Sequence, residues 1–299
     1  MNTGSGTVNV SQSAVGNWAT VYAGPGNPGE EDKSQADIGV ITVLSEETSA
    51  LTKALATVSS PRKRVLENGF RCYEANVCLE GNQIRVVATQ ALDRGQRPMI
   101  IAVERMRQYY APKIVVLVGI AGGIHAQVRL GDVIVVQDVI YYDVRKETSA
   151  GIFRRGQSRP VPSAIRHAIN DFFSSNGEPY RMSVVDPLGV TRGCRVWPGP
   201  IGSGEAVVAD RDSGIRRYVA QFNDKTLALE TEAGGLAEAF YEMAGGGGGE
   251  RGWLAVRGIS DHADAAKDDA YHEIASWHAA VVLLRLLPYL RPPSAGREF

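Results

Sequence analysis

Glu47, Glu232 and Asp261 each stand just past a run of aliphatic and β-branched residues. The runs are Ile38-Gly39-Val40-Ile41-Thr42-Val43-Leu44, Thr226-Leu227-Ala228-Leu229-Glu230 and Trp253-Leu254-Ala255-Val256-Arg257-Gly258-Ile259-Ser260. Runs of this length and composition read as buried parallel strands. An open α/β sheet assembles its reactive groups where such strands give way to loops or helices. Three carboxylates at one sheet edge can do acid–base work, with one group donating a proton, one taking a proton from water and one stabilising positive charge. Acidic residues at strand ends also serve as turn and helix-capping groups. Asp261 or Asp264 could cap the last helix, and Glu46 competes with Glu47.

Alternating strands and helices are needed to bring those ends together. Residues 38–44 read as a strand and 49–56 as a helix; 70–79 and 84–91 flank Glu80-Gly81-Asn82 as a hairpin. Helical spacing runs through 99–109, 165–173 and 233–243, and residues 114–118 and 133–142 read as buried strands. Gly119-Ile120-Ala121-Gly122-Gly123 and Gly202-Ser203-Gly204-Glu205-Ala206 read as small-residue turns. The last helix is expected over 268–287, with Ile274, Trp277, Val281 and Leu284 on its buried side and Pro288 ending it. Five glycines at 245–249 read as a slack surface connection.

The bulk properties fit one substantial α/β core with an appendage: 299 residues, 44% hydrophobic and 22% charged. A net charge of −1 offers no global attraction to nucleic acid or to an anionic membrane. Cys72, Cys78 and Cys194 are an odd set without metal-type pairing, so neither a metal nor another cofactor is expected. No apolar run is long enough to span a bilayer and no signal peptide is present, so a cytoplasmic protein is expected.

Residues 1–29 carry no charged side chain and close in Gly24-Pro25-Gly26-Asn27-Pro28-Gly29. Residues 1–36 are expected to form a flexible tail, 37–290 the catalytic domain and 291–299 a second flexible tail. Within the first tail, residues 7–23 alternate or are rich in β-formers and lack proline, which suits in-register cross-β stacking. Val10-Ser11-Gln12-Ser13-Ala14-Val15-Gly16 resembles short amyloid signalling motifs at the N-termini of bacterial and fungal immune effectors. The resemblance implies a signalling partner with a matching motif, in antiviral defence or cell death; an inert tail is the alternative.

The remainder resembles the nucleoside phosphorylase/nucleosidase superfamily, nearest to its methylthioadenosine/S-adenosylhomocysteine nucleosidases. Ser45-Glu46-Glu47 is similar to that branch's glutamate-rich turn, and Val118-Gly119-Ile120-Ala121-Gly122-Gly123 to its T-G-S-A-G-G segment. Leu130-Gly131-Asp132-Val133-Ile134-Val135 is similar to its V-G-D-I-V-V element and Gly202-Ser203-Gly204-Glu205-Ala206-Val207 to V-S-G-D-A-F. Leu229-Glu230-Thr231-Glu232-Ala233 resembles V-E-M-E-A, and Arg257-Gly258-Ile259-Ser260-Asp261-His262-Ala263-Asp264 resembles R-A-I-S-D-x-A-D.

That resemblance implies a three-layer α/β fold, a central mixed twisted sheet flanked by helices, and hydrolysis of a purine N-glycosidic bond. Asp261 would protonate the purine, with a pKa raised by burial and Ser260 orienting it. Glu47 would activate water, and Glu232 would hold the ribose hydroxyls and favour the cationic sugar. Ser260, Thr231, Val207, Val208, Ala121, Gly122, Glu205, Phe153 and Arg94 complete the expected binding set. The family's base-stacking aromatic is replaced at Val207, leaving Phe153 or Tyr142 to stack. Its methionine under the ribose is replaced by Thr231, and the serine of its glycine segment by Ile120. Arg94 and Arg97, with Arg154-Arg155 and Arg192, suggest a nucleotide substrate such as AMP or ATP, since guanidinium groups match phosphate oxygens; solvated surface arginines are the alternative. The resemblance also implies a homo-oligomer. Two competing functions remain: a purine nucleoside phosphorylase, whose Gly-Asp-Pro loop and R-V-G-[ST]-C-G turn are absent from this sequence, and a nucleoside-binding signalling module without catalysis.

Overall fold

In the computed structural model, residues 35–66, 69–79, 81–243, 252–265 and 270–290 are described. The expected amyloid tract, the five glycines and the C-terminal tail lie outside them. In chain order the elements are β1 (Ile38–Thr42), α1 (Ser45–Ala56), β2 (Arg62–Val65), β3 (Arg71–Leu79), β4 (Asn82–Gln90), α2 (Gln96–Tyr110) and β5 (Ile114–Gly123). They continue with β6 (Val133–Tyr141), β7 (Arg145–Thr148), β8 (Gly151–Arg154), β9 (Gln157–Pro160), α3 (Ser163–Asn176), β10 (Tyr180–Val185) and β11 (Thr191–Ser203). The last are α4 (Gly214–Phe222), β12 (Ala228–Glu230), α5 (Ala233–Met243), β13 (Gly252–Asp261) and α6 (His272–Leu290).

Strands buried on both faces make the centre of the sheet. Every residue of β1 and β13 is buried, as is all of β5 except Ile120. This is why those segments read as unbroken apolar runs rather than as an alternating pattern. The sheet order is β10-β11-β6-β13-β5-β1-β4-β3-β2, with parallel pairs about β1 and antiparallel pairs at both margins. The short β12 pairs with β11 on one side and β5 on the other. Because β11 also pairs with β6, β6 with β13 and β13 with β5, these five strands close into a ring. Helices α1, α3 and α6 pack together, as do α2 and α5, giving the expected mixed sheet with helical layers. The hairpin β7–β8 stands apart as a two-stranded sheet.

Three local expectations need correction. The glycine-rich segment 119–123 is strand rather than turn, and the segment 202–206 is strand as far as Ser203: β5 runs through Gly123 and β11 through Ser203, because closing the ring requires both to continue far enough to pair with β12. Helix α1 begins at Ser45, so Glu47 belongs to its first turn. Helix α6 continues past Pro288 to Leu290; so near the end, proline disturbs little of the remaining hydrogen-bond ladder. Its buried side is also broader than the expected stripe, taking in Ala275, Ala279, Val282, Leu283 and Leu286 while Val281 and Leu284 are only partly covered. A helix packed against the sheet and two other helices is covered around most of its circumference.

Helix α6 approaches β13 so closely that a Cβ at Gly258 would overlap the carbonyl group of Ala275. Neither backbone can yield cheaply. Gly258→Ala should cost about 1–3 kcal/mol, read as a lowered denaturant midpoint with an unchanged slope; an unaltered midpoint would contradict this packing.

Candidate active site

The parallel strands end around a cavity of about 460 Å3. Glu47 reaches it from the first turn of α1. Its Oε2 accepts hydrogen bonds from the Val43 and Leu44 N–H groups at 2.7 and 2.9 Å, and Oε1 accepts from Ile120 N–H at 3.0 Å. A helix start leaves such N–H groups without intrahelical partners, and the side chain of its own third residue satisfies one here. Burial raises the Glu47 pKa above the ordinary carboxylate value, against the opposing pull of Arg257 and the backbone donors.

Glu230 and Glu232 leave β12 for α5. Glu230 caps that helix, accepting from Glu232 N–H at 3.1 Å and Ala233 N–H at 2.9 Å. Glu232 accepts from Gly95 N–H at 3.1 Å and from the Thr231 hydroxyl through Oε1, and from Arg257 Nη2 at 2.8 Å through Oε2. Arg257, on β13, is fully buried. Its Nη2 also binds Glu230, and its Nη1 stands 4.0 Å from Glu47 Oε1. Burial opposes the guanidinium charge, but Glu230, Glu232 and Glu47 outweigh it and hold the pKa above the ordinary arginine value. A Cβ at Gly119 would collide with both Glu47 Oε1 and Arg257 Nη1, so β5 must carry glycine there.

At the end of β13, Asp261 accepts from the Ser260 hydroxyl at 2.9 Å and from Ala263 N–H at 2.8 Å. The residue is almost completely buried. Ala206, Val207 and Val208 form another part of the wall; their segment is tethered by the Tyr142 hydroxyl to Ala206 O at 3.2 Å and by Arg211 to Asp264 at 2.9 Å.

Glu47, Glu232 and Asp261 therefore line one cavity, together with Ser260, Thr231, Val207, Val208, Ala121, Gly122 and Arg94. Phe153 and Glu205 do not. Phe153 is half exposed on the separate β7–β8 hairpin, and the Glu205 N–H binds Asp143 at the exit of β6. Tyr142 is buried in a small apolar cluster with Val208, Leu229 and Ala263, so it supports the wall from behind. Of the arginines expected to face phosphate, Arg94 lines the cavity; Arg192 lies 3.5 Å from Asp186, and Arg154 donates to Tyr142 O at 3.2 Å. The lining also includes Glu46, the expected competitor of Glu47, and Ile120, together with Gln90, Leu229, Glu230 and His272, which the sequence expectations did not assign to it. Strand-end position was a usable signal for Gln90 and Glu230. His272 comes in from the start of α6, far along the chain, with no local pattern to mark it.

Residues 37–287 match the phosphorylase superfamily. The chain belongs to that family. Among curated relatives, it is 26% identical over 261 residues to ATP nucleosidase Cap17 of Escherichia coli (strain KTE188), covering 81% of this chain and 49% of the relative. The chain thus spans about half the length of that relative. It is 26% identical over 242 residues to the 5'-methylthioadenosine/S-adenosylhomocysteine nucleosidase of Haemophilus ducreyi, covering 79% of this chain and 89% of that one. The fold is shared with S-adenosylhomocysteine nucleosidase from Streptococcus pyogenes, solved with 5-methylthiotubericidin, at a TM-score of 0.66 and 18% identity over 86% of this chain and 98% of that one. Against this superfamily framework, no helix among the described residues is long and apolar enough to cross a membrane.

The raised pKa of Glu47 makes its ionisation oppose folding. Stability contributed by this group is complete below its unfolded pKa and is lost as pH rises through the higher folded value. Glu47→Gln cannot ionise, so its stability relative to the wild type should improve as pH rises above about 4. Urea titrations at several pH values would read this, and a pH-independent difference would contradict it.

Proposed function

We propose that this chain is a purine nucleosidase that hydrolyses the N-glycosidic bond of an adenine-type nucleoside or nucleotide. The observation that carries this reading is the convergence of Glu47, Glu232 and Asp261 on one cavity. Breaking the bond leaves a cationic sugar and drives electrons into the base, so catalysis needs an acid at the base and negative charge near the sugar. Asp261, oriented by Ser260, is the proposed acid. Glu47 is the proposed base for water; a carboxylate shifted upward by burial lies nearer the operating pH of such a group. Glu232 is the proposed sugar-binding group. The names of the Cap17 and Haemophilus relatives, both nucleosidases, support the same class.

Hydrolysis is preferred to phosphorolysis because ionised Glu47 would repel a phosphate nucleophile. For the 5′ side, Arg94 at the cavity supports a phosphorylated substrate, as does the ATP in the name of the Cap17 relative. Adenine release from ATP, AMP, adenosine and methylthioadenosine, with and without inorganic phosphate, tests the reading. Turnover should need no phosphate, and Asp261→Asn should lower it by about 10²–10⁴-fold. No release from any of the four would sink the proposal, and cleavage of the unphosphorylated pair alone would remove the nucleotide.

The biological setting follows from residues 1–29. In this proposal a partner with a matching motif templates residues 7–23, gathers the catalytic domains of 37–290 as homo-oligomers in the cytoplasm, and switches on purine depletion in an immune or cell-death response. Deletion of residues 1–29 should spare adenine release by the purified enzyme and abolish partner-dependent toxicity in cells. Undiminished toxicity would refute the templating role.

A further inference from the structure

Counting acceptors on Glu232 leads to a second sugar-binding group. An ionised carboxylate has about four lone-pair sites, two on each oxygen. Gly95 N–H and the Thr231 hydroxyl occupy both sites of Oε1, and Arg257 Nη2 takes one of the two on Oε2. One site is left for substrate. A ribose presents two neighbouring hydroxyls, so Glu232 alone cannot accept from both.

Thr231 lies next to that deficit. It is half-buried, lines the cavity, and spends its hydroxyl proton on Glu232. An oxygen whose proton is so committed keeps its lone pairs for incoming donors. We propose that Thr231 Oγ1 accepts a hydrogen bond from one of the two ribose hydroxyls while Glu232 Oε2 accepts from the other, making Thr231 a specificity-determining residue. This rests on the nucleosidase reading of the same site. An apolar side chain at this position would return one site to Glu232 Oε1, and the second hydroxyl would then have to turn from Thr231 Oγ1 to that oxygen, which is the displacement the test reads.

Deleting the hydroxyl from protein and from substrate in turn tests the pairing. Adenine release is measured for the full chain and its Thr231→Val and Thr231→Ser variants on ATP, 2′-deoxyATP and 3′-deoxyATP, and on the three corresponding nucleosides. Thr231→Val should lower kcat/KM on the ribose substrate roughly tenfold. The same change should lower it no more than about twofold on the one deoxy substrate that lacks the partner hydroxyl, because losses within one interaction do not add. Thr231→Ser should restore the wild-type pattern. Thr231→Ala repeats the comparison if valine disturbs the start of α5. Equal losses on all three substrates, no loss on any, or a serine variant as impaired as valine would overturn the assignment while leaving the nucleosidase intact. Absence of adenine release by the wild type from all six compounds would instead overturn the nucleosidase reading, and this assignment with it.

Discussion

A guanidinium with no exposure to solvent holds the site together. Removing a cation from water is prohibitive unless it is paired and hydrogen-bonded, and Arg257 is buried against Glu230, Glu232 and Glu47. Those carboxylates come from the end of β12, the turn before α5, and the start of α1, so one side chain of β13 ties together segments far apart in sequence. Each partner is itself anchored: Glu230 caps α5, and Glu47 takes the N–H groups where β1 turns into α1. Loss of any member would leave another charge buried with fewer partners. Such a cluster specifies one arrangement of strand ends more sharply than apolar packing alone, and it requires a backbone without a Cβ at Gly119.

The same cluster sets the charge facing the cavity. Three carboxylates meet a single guanidinium, so negative charge is in excess beside the place proposed for the sugar. Burial answers part of this by raising the Glu47 pKa. What remains is a preorganised environment favouring positive charge, built into the fold and requiring no rearrangement as a reaction proceeds. Asp261 is held by a hydroxyl and a backbone N–H at the end of β13. The proposed acid and base are thereby carried at the end of β13 and the start of α1 and oriented by different partners, which is what assigning them opposite proton-transfer roles requires.

Much of this was legible because the strands are short, buried and apolar. Ile38–Thr42, residues 114–118 and Gly252–Asp261 announce themselves through continuous aliphatic runs, and Glu47 lies just beyond the first and Asp261 at the end of the last. The ring was not legible, since it depends on a three-residue strand, β12, bridging two partners. For that reason Gly119-Ile120-Ala121-Gly122-Gly123 read as a turn although it is ladder. Phe153 and Tyr142 show a second limit. An aromatic side chain near a site in sequence can point into it, out to solvent or into a wall behind it, and only tertiary packing decides. Arg257 sits inside an apolar run that carries no sign of its partners, and it meets three carboxylates because β13 is a strand of the ring, between β5 and β6.

The turn ahead of α2 ties the ion cluster, through Glu232, to parts of the site that the cluster itself does not reach. Gly95, with φ of 100°, directs its N–H to Glu232 Oε1 at 3.1 Å. That conformation favours glycine, and a Cβ there would come within 2.7 Å of Glu205 Oε2. The preceding residue, Arg94, lines the cavity, and the following one, Gln96, donates to Ser203 Oγ at 3.0 Å and to Thr231 O at 2.6 Å. Three consecutive residues thus supply a cation, a bond to the proposed sugar carboxylate, and a brace on the segment carrying Thr231. Arg94 is exposed whereas Gly95 and Gln96 are buried, so its side chain can be exchanged with little effect on the other two contacts. In the proposed reading, selectivity at the 5′ end of a substrate is therefore adjustable in this turn while Arg257 and its carboxylates, which fix the strand ends, stay unchanged.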